Sequence, residues 1–133
     1  MLNTYAEYLN TSKSLTLEKM QKIHEQMIVE IGNDEDALEI YDELLEKATQ
    51  YAMFRAEWLL WDRMTRMEKD ASRSSCHNSL IIKFNMLAKY LKGIGANASW
   101  RDELGYEEED KYNRKTIGDF ACYLVFVNSI NAR

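Results

Sequence analysis

The chain has 133 residues, 46% of them hydrophobic and 29% charged, and carries a net charge of −5. That length suits one domain able to bury a core without disulfide or metal staples. The acidic balance argues against a general nucleic-acid binder. No uninterrupted apolar run approaches the roughly 18 residues of a membrane span, and no signal peptide opens the chain, so a cytoplasmic protein with reduced Cys76 and Cys122 is expected.

Proline is absent and glycine occurs five times. Few helix breakers are therefore present, and the residue usage favours an all-α fold. Leu2, Tyr5, Ala6 and Leu9 predict a short first helix, and the polar run at 10–14 predicts a turn. From Leu15 to Ile31, apolar residues at Leu17, Met20, Ile23, Met27, Ile28 and Ile31 follow a helical period. Gly32 and Asn33 supply a stop, and Asn33 or Asp34 a cap for the next helix.

No Gly, Pro or turn dipeptide interrupts the stretch from Asp34 to Asp70, which predicts one continuous helix of about 55 Å. A helical wheel divides it in two. Leu38, Tyr41, Leu45, Ala48 and Ala52 share one side of the first half, opposite Glu39, Glu43, Glu46 and Gln50. In the second half Met53, Leu60, Trp61 and Met64 lie where the acids were, while Arg55, Asp62, Arg66 and Lys69 take the apolar side. The crossover, YAMFRAEWLLW, is expected to be buried from two sides. Its aromatic residues Tyr51, Phe54, Trp58 and Trp61 are the candidate interface of a homodimer. Glu57, among apolar neighbours, needs a partner or a route to water. A break near Thr49 to Ala52, making a hairpin, is the alternative.

A further helix is predicted from about Ser74 to Lys92, with His77, Leu80, Ile81, Phe84, Leu87, Ala88 and Leu91 on its apolar face. After GIGANAS, Ser99 to Asp102 has the S-x-x-D form of a capping box and opens a short turn ended by Gly105. Acidic EEED follows. The last helix, from about Lys111 to Asn131, carries a run of eight apolar residues, Phe120 to Val127, that could also form a buried strand, but a lone strand would have no pairing partner in a helical chain. The expected architecture is a single-domain bundle of about five helices with one long central helix.

Charge is segregated. Glu25 to Glu46 holds nine acidic residues and no Lys or Arg, whereas Arg55 to Lys92 holds eight basic and four acidic ones. Such asymmetry suits solvated helix faces, subunit pairing, or a protein partner with a basic surface.

No nucleophile motif, phosphate loop or metal-ligand spacing is present, so no catalytic residue, cofactor or metal is assigned. Neither histidine has a Glu three residues before it, as helical di-iron sites require. A candidate ligand site comprises His77, Asn78, Trp100, Arg101 and Asp119, in which an Asp–His couple would orient the imidazole. For Asp119 the plainer expectation is an ion pair at the helix start with Lys115 or Arg114; a buried acid paired with His77 or Arg101 is the other.

The segments HNSLIIKFNMLAKYL (77–91), SWRDELG (99–105) and RKTIGDFACYLVF (114–126) resemble a small bacterial family of uncharacterised proteins. The resemblance implies a bacterial or phage origin and an all-helical domain, and brings no catalytic residues with it. The leading expectation is a non-enzymatic helical interaction or regulatory protein that self-associates through the aromatic middle of its long helix. The alternatives are a small-molecule binder or enzyme with a pocket around His77 and Asp119, and an antitoxin-like or phage inhibitor protein whose acidic 25–46 segment engages a basic partner.

Overall fold

The structure, a computed structural model, describes residues 15–104 and 111–131. The predicted first helix and the EEED segment lie outside them. Among the described residues there are five helices and no strand: α1 (Leu17–Ile31), α2 (Glu35–Trp58), α3 (Arg63–Gly93), α4 (Trp100–Glu103) and α5 (Lys111–Asn131). The fold is an all-α bundle in which the 31-residue α3 is the long central helix.

Local chemistry sets the boundaries. Thr16 caps α1 by accepting from Lys19 N at 3.1 Å, and Gly32 closes it at a positive φ of 52° that suits glycine. Asp34 caps α2 by accepting from Ala37 N at 2.9 Å. Ser99 departs from the expected capping box: its side chain caps nothing, and its hydroxyl instead accepts from Gln26 Nε2 of α1 at 2.7 Å.

The continuous helix expected from Asp34 to Asp70 does not form. α2 ends at Trp58, residues 59–62 turn, and Asp62 caps α3 by accepting from Thr65 N at 2.8 Å. The reversal falls about ten residues beyond the alternative break at Thr49 to Ala52. No glycine or proline is required. Leu60 N closes on Glu57 O at 2.8 Å, and Trp58 O at the helix end accepts from both Trp61 N at 3.3 Å and Arg66 Nε at 2.8 Å. The rest of the predicted rod forms the first turns of α3, which begins eleven residues before the predicted Ser74.

α2 and α3 form an antiparallel hairpin. Tyr90 Oη donates to Asp34 Oδ1 at 2.8 Å near the base, Lys83 pairs with Glu43 at 2.9 Å midway, and the Tyr51 and His77 rings meet at 5.5 Å further up. α5 packs antiparallel to α2, with Asn128 donating to Tyr41 Oη at 3.1 Å and Asp119 meeting Arg55 at 2.8 Å. α1 lies against α4 and α5.

The core between them is made of interdigitated apolar side chains, each contributing roughly 1.5–3 kcal/mol on burial. On α3 its face is the seven residues His77, Leu80, Ile81, Phe84, Leu87, Ala88 and Leu91, as the periodicity predicts. On α2 the buried stripe is Ala37, Tyr41, Leu44, Ala48 and Tyr51. It is rotated from the predicted stripe, leaving Leu38 exposed and Leu45 and Ala52 half-buried. The spacing of four then three residues places Arg55 next on the buried side, not on a polar face.

Candidate functional site

Beyond Arg55 the hairpin turns inside out. No residue between Ala52 and Cys76 is buried. Five large apolar side chains at this tip, Met53, Leu59, Leu60, Met64 and Met67, are 60–78% exposed. Phe54, Trp58 and Trp61 form a half-buried cluster beside them, with ring centroids 5.4–6.4 Å apart. The predicted exchange of faces along one helix does not occur: that helix ends at Trp58, Arg55 continues its buried side, and the expected sandwiched waist is an exposed tip. Glu57 is exposed and needs no partner.

Cations hold the cluster in place. The guanidinium carbons of Arg66 and Arg73 lie 5.9 and 5.1 Å from the Trp58 ring centroid. Such contacts are worth about 0.5–1 kcal/mol each at exposed sites. Arg73 is itself fixed by Asp70 at 2.9 Å. Asp62, which starts the descending helix, is held below the usual carboxylate range by the Thr65 backbone and hydroxyl. The tip is thus an apolar surface on an anchored turn, with three of the four candidate interface aromatics in it. The fourth, Tyr51, faces inward and is a core residue.

Tyr51 is the centre of a buried polar group. Arg55 Nη1 lies 2.8 Å from Asp119 Oδ1 and 3.7 Å from Cys122 Sγ, and its guanidinium lies 5.6 Å from the Tyr51 ring centroid. Asp119 is wholly buried, with Arg55 of α2 as its partner. Sequence reasoning, which puts Arg55 on a polar face, misses this pair; the signal for it is a lone cation in register with an apolar stripe. Burial pushes the Cys122 thiol up despite the nearby guanidinium, and it pushes up the half-buried Cys76 thiol as well. Neither thiol is arranged as a nucleophile.

The five candidate ligand residues do not converge on one place. His77 and Asp119 both lie around Tyr51, whose hydroxyl also abuts Gly118. Asn78 is exposed on α3. Trp100 and Arg101 belong to the contact of α4 with α1 and α3: Trp100 Nε1 donates to Glu30 Oε1 at 2.9 Å, and Arg101 Nε donates to Asn85 Oδ1 at 2.7 Å. Phe84 stands between the two groups, its ring 6.5 Å from Trp100 and 5.9 Å from Phe120. The second carboxylate oxygen of Glu30 accepts from Ala98 N at 3.1 Å and Gln26 Nε2 at 3.2 Å, so this carboxylate latches the α3–α4 loop to α1.

A concave surface lies at the base of the hairpin. Ile40 of α2 and Met86, Lys89, Tyr90 and Gly93 of α3, with Ile94 just beyond it, line an open groove of about 490 Å³. The Tyr90 hydroxyl on its edge is pushed up to about 12 by its hydrogen bond to Asp34. Among the described residues, no helix is long and apolar enough to cross a membrane, and no group of three His, Cys, Asp or Glu side chains is placed to hold a metal ion. No family model, curated protein or solved structure matches the chain.

Proposed function

We propose that this is a non-enzymatic helical interaction or regulatory protein of the cytoplasm, which forms a homodimer through the tip of its α2–α3 hairpin. The observation that carries the reading is the tip's apolar surface. Five long side chains, each more than half open to water, stand beside an aromatic cluster on a turn anchored by Asp62 and Arg66. Contiguous exposed apolar patches larger than a few hundred Å² mark interaction sites. Covering one such side chain is worth roughly 1.5–3 kcal/mol.

Sedimentation of the wild type and of Leu60→Glu tests this. Leu60 is 78% exposed, so the substitution spares the fold while placing a charge in the contact. A wild-type dimer that Leu60→Glu dissociates is the expected result; a wild type that stays monomeric at high concentration refutes it. Trp58→Ala and Trp61→Ala are expected to weaken the dimer by roughly 2–4 kcal/mol if they act as anchors.

A second reading, engagement of a basic protein, has one observation in its favour. Glu35, Glu39, Asp42 and Glu46, spaced four and three residues apart, are all exposed along one outward stripe of α2. Such a complex would dissociate at moderate salt. The small-molecule reading is weaker, because His77 and Asp119 are packed against protein side chains and the other three candidates lie elsewhere.

A further inference from the structure

The long helix α3 buries one side against the bundle, the side that runs from His77 to Leu91. Opposite that core face runs a stripe of exposed residues. Met64, Glu68, Ala71 and Ser75 make the half nearer the tip, and Ile82, Met86, Lys89 and Gly93 the half nearer the base. Within each half the steps are four, three and four residues, and seven residues separate the halves. That spacing holds one outward face of the helix over about 44 Å. Its first member, Met64, is already part of the apolar tip.

The stripe complements itself when reversed. Turned end for end about a point between Asn78 and Ser79, it sets Glu68 against Lys89, Ala71 against Met86, Ser75 against Ile82 and Met64 against Gly93. In each uncharged match one side chain is large and the other small or absent, the alternation that lets facing helices interdigitate. At Gly93 the space is open, with nothing within 4 Å of a Cβ built there. The charged match cannot form within one subunit, because Glu68 and Lys89 stand about 32 Å apart along α3. Among the described residues neither belongs to an ion pair.

We infer that a second copy of this chain lays its α3 antiparallel on this outer face, about a two-fold axis level with Asn78 and Ser79. The inference rests on the self-association proposed above and carries its contact from Met64 down α3. A two-fold axis makes every match twice, so the dimer holds two Glu68–Lys89 pairs between subunits. A parallel arrangement would instead set Glu68 against Glu68 and Lys89 against Lys89, which costs energy. The tip's five exposed apolar side chains fall short of the roughly 20–30 residues per partner of a specific interface, and the α3 face adds the missing length. In such a dimer the two tips lie at opposite ends.

Charge reversal tests this. Glu68→Lys and Lys89→Glu each change an exposed side chain and so spare the fold, which circular dichroism checks. By sedimentation at low salt, each variant alone is expected to dimerise at least about fivefold more weakly than the wild type, since two attractive pairs become two repulsive ones. An equimolar mixture of the two, and the chain carrying both substitutions, are expected to regain wild-type affinity, because every reversed charge again faces its opposite. A wild-type dimer that either reversal leaves as tight, or a weakening that the mixture does not repair, overturns the inference. The response to Leu60→Glu judges the tip reading separately: a dimer that it dissociates and the reversals leave alone keeps that reading and sinks this one. A monomeric wild type overturns both.

Discussion

Gly118 shows how closely α5 is seated on α2. A Cβ built there would lie 2.6 Å from Tyr51 Oη and 3.1 Å from Cε2 and Cζ. Within a helix, Gly→Ala ordinarily stabilises by about 1 kcal/mol, through reduced backbone entropy in the unfolded chain. Here the new methyl meets the end of a rigid, buried ring already against His77. Overpacking of this kind costs about 1–3 kcal/mol. Gly118→Ala is therefore expected to destabilise by about 1 kcal/mol net, a fall of some 4 °C in Tm for a chain of this size. Tyr51→Phe removes the atom at 2.6 Å and leaves ring atoms at 3.1 Å, a contact that a small ring shift relieves. In that background Gly118→Ala should be neutral or stabilising. The double-mutant cycle, read by urea and thermal unfolding under circular dichroism, should thus show coupling of about 1–2 kcal/mol. Equal stabilisation by Gly118→Ala in both backgrounds would refute the claim that the Tyr51 hydroxyl is lodged against α5.

Arg55→Met should destabilise by up to about 3–5 kcal/mol in urea unfolding, because it removes the cation 2.8 Å from a fully buried carboxylate, while Arg55→Met combined with Asp119→Leu should recover much of that loss. A single variant as stable as the wild type would show that the pair is unimportant. His24, edge-on to Tyr123 at 6.2 Å, has its pKa lowered from 6.5 by burial, with Glu25 opposing. The unfolded state then binds the proton more readily, so His24 contributes stability that is full above pH 6.5 and is lost as pH falls through the folded value. Chemical denaturation from pH 7.5 downwards should show a slope just below 6.5 that His24→Gln removes; an unchanged slope would exclude His24 as its source.

Helix content, the α3 core face and the bounds of α5 follow from the chain itself, because they depend on residues a few positions apart. His77 through Leu91 repeats at three and four residues, and only one side of a helix can collect them. Gly32 and Asp34 likewise mark a boundary by chemistry local to the backbone. The turn at 59–62 was legible only in part. Asp62 three residues before Thr65 is an ordinary capping arrangement, but it competes with a strongly helical run, and the Arg66 contact with Trp58 O exists only once the chain has reversed. With no turn expected there, the crossover at 51–61 reads as buried from two sides, when from Met53 onwards the chain forms an open tip.

Other features belong wholly to the tertiary structure. Arg55 and Asp119 are 64 residues apart, and neither sequence neighbourhood names the other. Glu30 finds Trp100 Nε1 and Ala98 N only because the α3–α4 loop folds back on α1. Periodicity tells which side of a helix avoids water. It does not tell which helix covers that side, and a charge on the covered side is tolerated only where another element delivers its counter-charge. That delivery, and the lack of it at the hairpin tip, is decided by packing across the whole chain.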